Sequence, residues 1–190
     1  MRNILNILFT SIIFFTSLLL PVMAADEPDK NVEYNYEIAF ILNFLKFVEW
    51  SDDHSPKNTN SLKICVAGDD DFSNYFSEFA RKRSQRFEVI VKIPHSDSDF
   101  KSCNILLIGR DKEREAVSLL AKVKNNSVIT ISEAKGFADA GGIIEILSRK
   151  KVGLFANGEN VDLRINLKAS ELSHLNIDAR FLQVASEIIR

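Results

Sequence analysis

The stretch CNILLIG, Cys103 to Gly109, constrains the fold more than any other in the chain. From Ile105 to Ile108 it is apolar without alternation, and a strand of that kind must be covered on both faces. Related runs surround it: LKICVAG (Leu62 to Gly68), the alternating FEVIVKI (Phe87 to Ile93) and the short SVITI. Between them, DDDFSNYFSEFARKR and RDKEREAVSLLAKVKNN carry helical patterning. Strands that alternate with helices predict an α/β fold with a mixed, largely parallel central sheet between helical layers. Beyond Ile131 the pattern changes: GGIIEIL, KVGLFAN and VDLRINL are closely spaced, with SRK and GEN as turns, and predict an antiparallel meander. The last stretch, KASELSHLNIDARFLQVASEII, predicts a short helix followed by a longer C-terminal helix, on the helical recurrence of Phe181, Leu182, Ala185, Ile188 and Ile189. The chain shows no internal repeat.

At the other end, YNYEIAFILNFLKFVEW (Tyr34 to Trp50) is apolar nearly all round, which predicts a helix covered on more than one side. Two readings fit Phe40, Phe44 and Phe47 equally: side chains sunk in the chain's own core, or an interface with a second subunit.

Ahead of this helix, Arg2 precedes an apolar stretch from Ile4 to Leu20, and the PVMA that follows places Val22 and Ala24 at signal-peptidase spacing. A signal peptide over residues 1–24, cut after Ala24, is expected. The competing reading is a retained membrane anchor, which the polar residues in the run and the following DEPDK argue against. Residues 25–190 are then expected to form one exported domain with no membrane span after processing, long enough to bury about 70% of its unfolded surface. Removing Arg2 takes the formal charge from −2 to about −3. Basic residues are interspersed with acids, so nucleic acid is not an expected partner.

Cys65 and Cys103 are the only cysteines. In an oxidising compartment the pair reads first as one disulfide, worth roughly 4 kcal/mol on the chain-entropy account of a loop this long. Two buried thiols in strands are the alternative. Gly141 and Gly142 precede a β-branched run instead of following a strand and opening a helix, and Gly136 ends a short turn after SEAK. They therefore read as turn residues, not as a phosphate cradle. Asp69, Asp70 and Asp71 stand where α/β proteins place ligands and could line a small-molecule or magnesium site. Helix capping and favourable charge at a helix start explain the same acids without a ligand. His54, His95 and His174 are solitary, and neither a nucleophile elbow nor a Walker loop occurs. No catalytic residue, metal centre or cofactor is called for.

Five blocks, AFILNFLKFVEW, LKICVAGDDDF, CNILLIG, ITISEAKGFADAGGIIEIL and VDLRINLKASELSHLNIDARFLQVASEI, resemble in order and spacing the YfiR-like family of bacterial periplasmic proteins. The likeness runs from about Tyr36 to Ile189. It implies an α/β homodimer in the periplasm that binds the periplasmic domain of an inner-membrane diguanylate cyclase and restrains it, lowering cyclic di-GMP and favouring motility over biofilm. Cys65 and Cys103 fall at cysteine positions of the matching blocks, which strengthens the disulfide reading. Some relatives carry further cysteines that this chain lacks, which argues against redox sensing through a second bridge. Two other classes remain open from the residues alone: a periplasmic small-ligand or nucleotide-binding protein with the aspartates near its pocket, and a hydrolase, for which no complete constellation is visible.

Overall fold

The structure is a computed structural model, and it describes residues 30–51, 55–83, 88–147 and 162–190. The leader, the KVGLFAN strand and His54 lie outside these residues.

Helix α1 (Lys30–Phe44) opens the described chain. A 3-10 turn (Leu45–Phe47) leads to β1 (Val48–Trp50), and a short α2 (Pro56–Thr59) to β2 (Ser61–Ala67). Then come α3 (Asp70–Arg83), β3 (Glu88–Lys92), α4 (Asp97–Lys101) and β4 (Ile105–Ile108). A 3-10 stretch (Arg110–Glu115) runs into α5 (Ala116–Val123), followed by β5 (Ile129–Ser132) and β6 (Ile144–Ile146). The last elements are β7 (Leu163–Asn166), α6 (Leu167–Leu172), β8 (Leu175–Ile177), α7 (Ala179–Leu182) and β9 (Glu187–Ile189).

Seven strands form one sheet in the order β3-β2-β4-β5-β6-β7-β9. The first five are parallel, β7 runs antiparallel to β6, and β9 is parallel to β7. The mixed, largely parallel sheet between helical layers is thus present. Alternation sorts its side chains. Ile64, Val66, Ile105, Leu107, Ile129 and Ile131 join Ile38, Ile41, Phe44, Phe72 and Phe76 from α1 and α3 in one cluster. Cys65, Ala67, Leu106 and Ile108 join Phe100, Leu119, Leu120, Val123 and Phe137 in a second cluster on the opposite face. Each fully buried Phe or Ile contributes about 1.5–3 kcal/mol of apolar transfer, so both layers hold the sheet. Asn104, the one polar residue leading into β4, has its side-chain oxygen accept from Lys63 N–H at 2.8 Å and so extends the pairing with β2.

Three expectations are corrected. The helix from Tyr34 does not continue to Trp50: it ends at Phe44, because Val48–Trp50 pair antiparallel with β8. The charged stretch after Gly109 begins as a 3-10 turn, and its α-helical part is only Ala116–Val123. The longer C-terminal helix is absent: α7 stops at Leu182, and Glu187–Ile189 instead complete the edge of the sheet beside β7. In the first and third cases backbone hydrogen bonds to a distant strand override a local helical preference.

Candidate functional site

Two places gather the residues singled out by the sequence: the carboxyl ends of β2 and β4, and the glycine turn before β6.

At the first, β2 gives way to α3 through Gly68 (φ +83°) and Asp69 (φ +52°). Asp69 caps the helix: its side chain accepts from Phe72 N–H at 3.0 Å and from the Tyr34 hydroxyl at 3.1 Å. Burial, then the Asp69 carboxylate, pushes the Tyr34 hydroxyl up to about 12. Asp70 and Asp71 occupy the first turn of α3, where the helix dipole favours acids. Asp71 lies 3.9 Å from Lys30, with both side chains exposed. Among the described residues no three His, Cys, Asp or Glu side chains converge as metal ligands. Neither described histidine joins these acids. His95 donates its backbone N–H to Asp99, and His174 (φ +54°) lends its carbonyl to Ser51 N–H.

Strand β4 ends beside β2 at Gly109. Asp111, two residues on, packs into the notch between the strand ends. A Cβ on Gly68 would lie 2.1 Å from its Oδ1 and one on Gly109 2.9 Å, and the positive φ of Gly68 makes glycine the residue that fits there. A crevice of about 870 Å³ opens here, lined by both strand ends, the start of α3, Tyr34, and the apolar Ile93, Pro94, Phe100 and Leu119. Its position follows from topology. The chain leaves β2 through α3 to one side and β4 through α5 to the other, with the two helices on opposite sheet faces. The two strand ends therefore diverge, at the switch point where open α/β sheets hold ligands.

The second place answers the glycine question. Gly136 (φ +77°) and Gly141 (φ +102°) take the left-handed conformation, and a side chain on Gly142 would strike the Phe137 ring. The turn does cradle an anion, and that anion is the chain's own Glu145. Its carboxylate, 2% exposed in β6, accepts from Gly136 N–H at 2.9 Å and Ala138 N–H at 3.0 Å. Arg164 on β7 completes the pairing at 3.1 Å and also holds Asp139 and Glu187, each through two nitrogens. These partners raise the Arg164 guanidinium, Asp139 first, and Arg164 in turn holds the Asp139 carboxyl below its ordinary value. The phosphate-type donors of the turn are thus occupied. Sequence reading missed Glu145 and Arg164. The available signal was a lone carboxylate inside the buried run IIEIL, which has to find internal donors.

Cys65 and Cys103 are joined in a disulfide, with Cα atoms 5.9 Å apart, buried in the second cluster. Phe40 and Phe44 are 2% and 1% exposed and pack on Phe181, so they serve the chain's own core instead of a free face. Phe47 is half-buried against the same ring and against Arg180.

These features define a doubly wound α/β protein whose glycine turn and aspartate cap are built into its own frame. A family model described as YfiR/HmsC-like matches residues 34–186, and the chain belongs to that family. Proteins of the family are periplasmic regulators of diguanylate cyclase. No curated protein matches the chain. Among the described residues, no helix is long and apolar enough to cross a membrane.

Proposed function

We propose that this chain is an exported, non-catalytic regulator that binds the periplasmic domain of an inner-membrane diguanylate cyclase and restrains the enzyme, lowering cyclic di-GMP. Family membership across residues 34–186 carries the reading. The interior supports it: Glu145 fills the glycine turn and Asp69 caps α3, so two features that resembled chemistry do structural work. The mechanism is thermodynamic. A regulator shifts its target only by binding one conformation better than the other, and couplings of about 1–3 kcal/mol change activity severalfold to a hundredfold. The disulfide keeps the binding shape intact, and its loss releases the cyclase by loosening the fold. The working unit in this proposal is a homodimer, which light scattering of the processed chain checks.

The test is co-purification of residues 25–190 with the periplasmic domain of a diguanylate cyclase from the same cell, paired with cellular cyclic di-GMP after deletion of the regulator. A stable complex and a rise in cyclic di-GMP are expected. No complex together with an unchanged nucleotide level refutes the proposal.

A further inference from the structure

Among the described residues, β3 ends the sheet and pairs on one side only, with β2. We propose that β3 is the contact strand between two copies of this chain, pairing antiparallel with β3 of the second copy about a two-fold axis at Ile90. The inference rests on the homodimer of the proposed function and gives it a surface; it does not depend on the cyclase.

The backbone sets the register. Strand β3, EVIVK, holds no proline and keeps an unbroken register with β2, so apart from the charges at its ends it lacks the devices that spoil an edge. Glu88 turns its N–H inward, to the Asn60 carbonyl at 3.0 Å. Successive backbone groups point to alternate sides, so those of Ile90 and Lys92 also face β2, and those of Val89 and Val91 point out of the sheet. Setting Val89 against Val91 of the second copy, and Val91 against its Val89, satisfies every one of these outward groups.

In that register the strand is complementary to itself, as a two-fold contact requires. Glu88 faces Lys92 of the second copy on either side of the axis, and Ile90, 36% exposed, faces its own copy and is covered. Val89 and Val91 pack on the first cluster, so like faces of the two sheets adjoin. Glu88 is exposed. Lys92 donates to Ser102 at 2.9 Å and Asp99 at 3.4 Å, and an ammonium has a third donor for the incoming carboxylate. A shift of two residues in either direction sets Glu88 or Lys92 against Ile90 and loses both charge pairs. The opposite edge offers no equal: β9 has three residues, and its Glu187 is held by Arg164. A contact built on one short strand is small, so the dimer is reversible and weakens with added salt.

Sedimentation equilibrium of the processed, disulfide-bonded chain tests the surface. A monomer–dimer equilibrium is expected. Glu88→Lys sets like charges in both pairs and should weaken it at least about tenfold, about 1.4 kcal/mol; the position is exposed, so the variant folds, which circular dichroism verifies. Ile90→Cys gives a second, independent reading. Facing residues of this kind have Cα atoms about 4.5 Å apart, within reach of a disulfide, whereas the two copies of Glu88 lie more than about 10 Å apart. Under mild oxidation Ile90→Cys should cross-link into a covalent dimer and Glu88→Cys should not. The proposal fails if Glu88→Lys dimerises as well as the parent, or if Ile90→Cys cross-links no better than Glu88→Cys; a dimer that persists through both results uses another surface, and the homodimer stands. A parent that stays monomeric overturns surface and homodimer together and leaves the cyclase reading to its own co-purification test. A monomeric parent whose cyclase complex is lost in Glu88→Lys assigns the edge to the cyclase and overturns the proposal.

Discussion

Replacing Glu145 by alanine tests the central structural claim, that the glycine turn is folded around an internal anion. The substitution removes the acceptor for two backbone N–H groups, those of Gly136 and Ala138, and one of three carboxylates on Arg164. Ala138 is fully buried, so its N–H cannot turn to bulk water. An orphaned buried donor costs about 1–3 kcal/mol, which puts the pair at about 2–6 kcal/mol. Arg164 adds little, because Asp139 and Glu187 still hold it. The expected loss is therefore about 4 kcal/mol, in line with breaking a buried pair by removing one partner. Total stabilities are commonly about 5–15 kcal/mol, so the variant should fold but melt at lower temperature, by about 8–16 °C for a chain of this size. Urea unfolding followed by circular dichroism, with calorimetry as the second probe, measures it. Glu145→Gln, which keeps one acceptor oxygen, should lose less. A loss below about 1 kcal/mol for the alanine variant would refute the claim that the turn depends on Glu145.

Three other outcomes are expected. The double variant Cys65→Ala, Cys103→Ala should lose roughly 4 kcal/mol in thermal unfolding; with both sulfurs buried, the parent should resist reductant until it unfolds. Asp99 is held at about 2, first by the Ser96 hydroxyl and then by the His95 backbone N–H, and Asp178 is held at about 2, first by the Arg180 side chain. Both folded values lie below the ordinary 3.8, so their contribution is complete above about pH 4 and is lost as pH falls toward 2; Asp99→Asn should flatten that part of an acid-unfolding curve. Tyr34 titrates in the opposite direction. Its folded value of about 12 lies above the ordinary 10.0, so its contribution holds below pH 10 and is lost as pH rises toward 12. An ultraviolet titration should show a late component that Tyr34→Phe removes.

The parts of this fold that could be read from sequence are those whose burial is local and complete. ILLI and the flanking runs announce strands covered on both faces, and the intervening amphipathic stretches announce the layers. The acids at the start of α3 were legible as caps because capping involves neighbours in sequence. What escaped depends on partners far along the chain. Strands β1, β8 and β9 have three residues each, too few to show a period, and exist because Val48 meets Ile177 and Ile165 meets Ile188. The aromatic side of α1 fits core and interface alike until Phe181 is seen against it. Likewise, the glycines show that the chain turns, whereas the carboxylate that fills the turn comes from the following strand and its guanidinium from the next.

The pairing of β1 with β8 has a consequence for how the molecule is made. Glu49 meets Asn176 across 127 residues, and the rings of Phe40 and Phe44 close on Phe181. A polypeptide emerging from its amino end therefore presents α1, greasy on nearly every side, long before the segment that seals it has appeared. Contacts of such span slow assembly and prolong exposure of sticky surface. Helix α1 meets α3 early, through Tyr34 against Phe72, yet the rings of Phe40 and Phe44 wait for Phe181 until nearly the whole chain has been made.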